Sequence, residues 1–253
     1  MLELLKNKTA LLAAIASAAL GFIVLLGWYL NLPALIQVLP QFAPMQYNTA
    51  LGFLLSGIGF LSVVYYDRIK TKEQKNSTIN RLSLLTGLAV VLLGSVTILQ
   101  YIFNVNLALD QIFMDAYITV KTSHPGRMAP NTALCFILTG SAISLLSLNK
   151  NITFIEIIAL LILSFSVMAL VGYLVGEENG YAWGKLTGMA LHTTVGFITL
   201  GVGIVGFVWS ARTYSIASVP MWFPSLLCFI VLLLDMLSLK WSSNSVQRNR
   251  FFI

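Results

Sequence analysis

The sequence predicts an all-α, polytopic membrane protein of about seven transmembrane helices, built as three helix-hairpin repeats plus one. Three observations predict it. Of 253 residues, 58% are hydrophobic and 9% charged, with a mean hydropathy of +0.86, whereas soluble domains carry roughly 25% charged residues. Apolar runs near the ~20 residues needed to span a bilayer recur along the whole chain. One phrase also occurs three times: MQYNTALGF from Met45, MAPNTALCF from Met128 and MALHTTVGF from Met189.

In chain order the expected spans are Thr9–Leu30, Tyr47–Tyr66, Leu82–Phe103, Asn131–Leu148, Phe154–Val175, Met189–Ser210 and Met221–Leu239. The first apolar run is longer than the ~7–15 residues of a cleavable signal. Lys6, Lys8, Arg68, Lys70, Lys72, Lys75, Arg81, Lys150 and Arg212 fall on one side of this topology, facing Lys121, Arg127 and Lys185 on the other. The positive-inside rule then places the N-terminus and the loop DRIKTKEQKNSTINR in the cytoplasm. The net charge of +6 is accounted for by topology, so no nucleic-acid partner is expected; the partner is the lipid bilayer. The expected organisation is one transmembrane domain, residues 1–239, with repeats over about 9–66, 82–148 and 154–210, a helix over 221–239 and a polar tail over 240–253.

The repeat aligns Met45, Met128 and Met189; Asn48, Asn131 and His192; Thr49, Thr132 and Thr193; Phe53, Phe136 and Phe197; and Gly57, Gly140 and Gly201. The preceding spans end in GWYLN, LQYIFN and VGYLVG, whose Tyr29, Tyr101 and Tyr173 are 72 residues apart both times. At 3.6 residues per turn the motif positions share one broad helix face, and the glycines allow close helix approach. Three polar groups at one level near the outer boundary have two readings. They cap helix starts, or they line a ligand pocket toward which helix dipoles point. His192 breaks the symmetry and is the side chain that titrates in the physiological range. The candidate ligand-binding set is therefore Asn48, Asn131, His192, Thr49, Thr132, Thr193, Met45, Met128, Met189, Tyr29, Tyr101 and Tyr173. The tyrosines also fit an interfacial belt.

Met45, Met128, Met189 and His192 have the donor chemistry of a copper(I) site, but methionine as core filler is commoner, and neither a metal nor a cofactor is assigned. Cys135 and Cys228 read as buried thiols. Asp235 and Glu156, the acidic residues inside spans, read as structural residues near helix ends. The longest outer loop, NVNLALDQIFMDAYITVKTSHPGRMAP, contains Asp110, Asp115, His124 and Arg127. Its LALDQIFMDAY portion is expected to form a short interfacial helix, acting as a lid or a spacer. No nucleophile elbow, HExxH, P-loop or CxxC is present, so no catalytic residue is assigned.

GRMAPNTALCFILTG, GYLVGEENGYAWGKLTG and MALHTTVGFITLGVG resemble the multi-span N-terminal membrane region of bacterial sensor histidine kinases and diguanylate cyclases, over roughly residues 20–222. The resemblance implies a sensory input module of the bacterial inner membrane without activity of its own, feeding a cytoplasmic signalling domain within a homodimer. MQYN is also similar to the MHYT sensor repeat, with glutamine in place of its histidine. A small carrier or permease is the alternative. After the seventh span only KWSSNSVQRNRFFI follows, and its basic residues conflict with an outer location. Either an eighth span and an effector are missing, or the segment around Pro224 is re-entrant.

Overall fold

The computed structural model describes residues 8–69 and 77–211. The expected seventh span, with Asp235, Cys228 and Pro224, and the polar tail lie outside them. Among the described residues there are eight helices and no strand. They are α1 (Lys8–Tyr29), α2 (Pro33–Ile36), α3 (Tyr47–Ile69), α4 (Ser77–Ile102), α5 (Pro130–Ser147), α6 (Ile152–Val175), α7 (Glu178–Tyr181) and α8 (Leu191–Ala211). Six of them (α1, α3, α4, α5, α6 and α8) are long and apolar enough to cross a membrane, the make-up of a multi-pass membrane protein.

Local chemistry sets the ends. Proline at the first position starts α5, where its missing N–H costs nothing. Asn151 caps α6 by accepting from the Thr153 N–H. Gly176, at φ 73°, closes the same helix in a left-handed conformation. Helix α4 begins five residues before the expected Leu82, because the polar STINR stretch continues the helix rather than forming a turn.

The long helices pack in antiparallel sequence neighbours: α1 on α3, α4 on α5, and α6 on α8. Beyond these pairs, α3, α5 and α8 also touch one another. Glycine makes the pairs close. A Cβ on Gly57 would collide with the Ala14 and Ala18 backbone of α1, and one on Gly140 with the Gly87 and Val91 backbone of α4. One on Gly201 would lie 2.6 Å from the Leu163 side chain of α6. In lipid, where apolar burial supplies little force between helices, such backbone contact is the main source of attraction.

At the centre stand Phe53, Phe136 and Phe197, one from each of α3, α5 and α8, all fully buried. Their ring centroids lie 5.2 Å (Phe53–Phe136), 4.7 Å (Phe53–Phe197) and 4.8 Å (Phe136–Phe197) apart. These are tilted and edge-to-face contacts of the favoured kind. Gly52 lies beneath the Phe136 ring and Gly196 beneath Phe53, and a Cβ on either would come within 2.6 Å of the ring.

The expected loop helix is absent. Residues 107–117 form no helix. The segment is held instead by side-chain bonds to its own backbone: Gln100 Oε1 accepts from the Leu107 N–H, Asn106 Oδ1 from Ala108 and Gln111 Oε1 from Ala116. Ala108, at φ 54°, breaks any helical run there. Glu156, four residues into α6, is 2% exposed. Cys135 is a buried thiol, as expected.

Candidate functional site at the helix tips

The three motif methionines immediately precede or open the turns that start α3, α5 and α8, and all three are buried to 1% exposure or less. Each methionine carbonyl accepts a hydrogen bond from an aromatic residue at the end of the partner helix. Trp28 Nε1 donates to Met45 O at 3.0 Å, Tyr101 Oη to Met128 O at 3.0 Å, and Tyr173 Oη to Met189 O at 2.7 Å. The equivalent of Tyr101 and Tyr173 is therefore Trp28, not Tyr29. Tyr29 is 59% exposed and shares a 2.8 Å hydroxyl contact with Tyr47. The adjacent aromatic pair made the register ambiguous by one residue; the indole N–H and the phenol O–H perform the same task.

Asn48, Asn131 and His192 occupy the second position of α3, α5 and α8 respectively. None is an N-cap by position; the cap of α5 is Ala129, without a side-chain bond. Asn131 works across the structure. Its Nδ2 donates to Tyr181 O at 3.0 Å, while its Oδ1 accepts from the Thr132 N–H. The same Tyr181 carbonyl accepts from the Met189 N–H at 2.8 Å, and in the first pair Ile36 O accepts from the Met45 N–H at 2.8 Å. The Ile36 carbonyl also faces the His192 ring, without closing a hydrogen bond of good geometry. Asn131 of the second pair thus holds the α6–α8 connection of the third, and His192 of the third stands against the α1–α3 connection of the first.

Thr49, Thr132 and Thr193 are buried beside these groups. Asn48 Oδ1, both amide atoms of Gln46 and both ring nitrogens of His192 are buried, with no hydrogen-bond partner among the described residues. Buried polar atoms of this kind cost a few kcal/mol unless something satisfies them. His192 also borders a groove of about 330 Å³ between α1 and α8, with Ser17, Val38 and Thr199 among its walls. Among the described residues, no three His, Cys, Asp or Glu side chains gather as a metal-binding group.

Above the tips lies the long loop between α4 and α5. It reaches the first pair through Tyr117, whose ring meets Trp28 edge-on at 4.9 Å, and through Phe113, stacked on Tyr47 at 6.0 Å. It reaches the third pair through Ser123 and Thr187 Oγ1, through Gly188 N–H to Lys121 O, and through Lys121 Nζ to both Glu178 and Tyr181. Tyr181 in turn stacks on Tyr173 at 4.0 Å. The loop's base is a buried ion pair. Arg127 Nε donates to Asp110 Oδ2 at 2.7 Å, with side chains 1% and 7% exposed. Arg127 Nη2 bonds Gln100 Oε1 and Val105 O, and Gln100 Nε2 bonds Asp110 Oδ1. Arg127 and Asp110 were visible in the sequence as loop charges, but their pairing across 17 residues, through Gln100, carried no local signal.

Glu178 and Lys121 set a pH expectation. The Lys121 ammonium, by hydrogen bond and charge, holds the Glu178 carboxyl below its ordinary range, and Glu178 and Tyr181 hold Lys121 above its own. A depressed carboxyl stabilises the fold above its unfolded-state value and loses that contribution as pH falls through the folded value; a raised ammonium loses its contribution as pH rises. This exposed pair contributes about 0.2–1 kcal/mol. The gap in thermal midpoint between wild type and Glu178→Gln is therefore expected at neutrality and should close in acid. A gap that persists below the glutamate range would contradict the pairing.

Compared with family models, curated proteins and solved structures, the chain matches none.

Proposed function

We propose that the chain is a membrane-embedded sensory input module of a bacterial signalling protein, of the two-component or cyclic-di-GMP kind. It sits in the inner membrane with a cytoplasmic N-terminus, is built as three helix–loop–helix copies plus a further span, and passes its output to a cytoplasmic signalling domain within a homodimer. Asn48, Asn131 and His192 receive the stimulus at the outer tips.

The observation that carries this reading is the tying of outer loops across the helix pairs. Asn131 bonds the Tyr181 carbonyl, and the α4–α5 loop bonds both neighbouring pairs. A stimulus that moves one loop therefore moves the starts of at least two central helices, and rigid glycine-packed pairs carry that displacement to the other side. Three phenylalanine rings in contact at the axis suit a transmitter of movement better than a carrier, which needs a path for its solute.

The test fuses the chain to a reporter kinase and compares wild type with the triple variant Asn48→Ala, Asn131→Ala, His192→Ala. Coupling of ordinary size, 1–3 kcal/mol, predicts a change in basal kinase output of at least about five-fold. Unchanged output from a triple variant that melts like wild type would remove the outer tips from the mechanism.

A further inference from the structure

Helices α1 and α4 both pack on α3, and a furrow of about 340 Å³ runs along α3 at the end where α1 begins and α3 finishes. Its walls are Leu11 of α1, Leu61, Val64, Tyr65 and Arg68 of α3, and Leu82 of α4, with Ile79 and Ser62 at its edges. On α3, Leu61, Tyr65 and Arg68 follow at spacings of four and three, so they form one stripe down the helix. The stripe is apolar at depth and ends in a phenol and then a guanidinium. The Ser62 hydroxyl is already used by its own helix, donating to Ile58 O. The neighbouring carboxylate, Asp67, lines a different cavity, with Asn149, Lys150 and Phe207, so it does not lie in this furrow. Charge at this end of the helices is mostly basic: Lys8 and Arg81 are exposed near the starts of α1 and α4, and the sequence joining α3 to α4 has Lys70, Lys72 and Lys75 against Glu73.

We propose that this furrow is a binding site for an anionic phospholipid: one acyl chain lies between α1 and α4 against Leu11, Leu61, Val64 and Leu82, and the phosphate is held by Arg68 beside the Tyr65 hydroxyl. Charge complementarity selects the occupant. An apolar trough of this kind takes any acyl chain, but a guanidinium at its mouth offers a planar, multi-donor match to a phosphate. The basic surroundings favour the lipid with net negative charge over the zwitterionic one by about 1 kcal/mol per cation near the surface. This site lies apart from the outer tips and does not depend on the sensory reading.

The test is thermal unfolding of the full purified chain in neutral detergent with added phosphatidylglycerol, phosphatidylcholine or inorganic phosphate, with bound lipid counted by native mass spectrometry. Phosphatidylglycerol is expected to raise the midpoint above phosphatidylcholine, and inorganic phosphate to leave it unmoved. Arg68→Gln should bind phosphatidylglycerol roughly five-fold more weakly, one cation's worth, while Arg81→Gln, off the furrow wall, keeps the preference. Leu61→Trp, which fills the trough, should lose the lipid count with Arg68 intact. Equal losses in Arg68→Gln and Arg81→Gln would show diffuse surface charge and overturn the site. So would an undiminished preference in Arg68→Gln, or full stabilisation by phosphate alone.

Discussion

Arg127→Met is expected to lower the unfolding free energy by about 3–5 kcal/mol, the usual result of breaking a buried ion pair from one side. The guanidinium is 1% exposed and satisfies Asp110, Gln100 and the Val105 carbonyl together. Removing it leaves the Asp110 carboxylate, itself almost buried, with only the Gln100 amide. The consequence extends beyond one pair, because the same residues fix the base of the loop that contacts both neighbouring helix pairs. Loss of Arg127 should therefore also loosen the contacts of Tyr117 with Trp28 and of Phe113 with Tyr47, measurable as faster proteolysis within residues 103–126. Thermal or denaturant unfolding in detergent checks the magnitude. The double variant Arg127→Met, Asp110→Leu should recover part of the loss, since replacing both charges removes the uncompensated carboxylate. A single variant within about 0.5 kcal/mol of wild type would show that the pair contributes no net stability.

The second large effect belongs to the axis. Phe136→Ala removes a fully buried ring that touches Phe53 and Phe197 and covers Gly52. In water-soluble cores such truncation costs 3–5 kcal/mol, part transfer and part cavity. Between helices in lipid the transfer part shrinks, because the separated helices are already in an apolar medium. The cavity part persists, since three helices held apart by their other contacts cannot collapse onto the gap. About 3 kcal/mol is expected, and a comparable loss for Phe53→Ala and Phe197→Ala. Val202→Ala, on the exposed face of α8, is expected to stay within about 0.5 kcal/mol. Melting of the four variants side by side checks the contrast; a Phe136 loss no larger than that of Val202 would mean the ring cluster is not a core.

The helices were largely legible, and the reasons are specific. Long apolar runs with few charges can hardly be anything else, and Pro130, Asn151 and Gly176 mark helix ends by local chemistry alone. The threefold phrase coincides with buried residues: the motif methionines just before α3, α5 and α8, and the motif threonines and phenylalanines within them. What stayed hidden was side-chain partnership over distance. Identity aligns Tyr29 with Tyr101 and Tyr173, whereas the Met45 carbonyl needs only a donor of the right reach, which Trp28 supplies. Apolar spacing in residues 107–117 imitated a helix, but Gln111, Asn106 and the Arg127–Asp110 pair offered the backbone other partners. Asn131 looked like a cap, and its bond to Tyr181 depends on a loop 50 residues away. Gln46 stands where the other two copies of the phrase have alanine, and its buried amide, without a partner among the described residues, is as unusual as the His192 ring.

Everything proposed for the outer tips requires that α3, α5 and α8 meet on one axis. The most direct measurement is ring-to-ring nuclear Overhauser contact among phenylalanines in the full chain, labelled on phenylalanine and held in lipid nanodiscs, with assignments made by single Phe→Leu replacements. A shared axis predicts mutual cross-peaks among Phe53, Phe136 and Phe197, whose centroids stand 4.7–5.2 Å apart, and no broadening of the three by a lipid-soluble paramagnet. Three rings without mutual cross-peaks, each broadened from the lipid side, would contradict it.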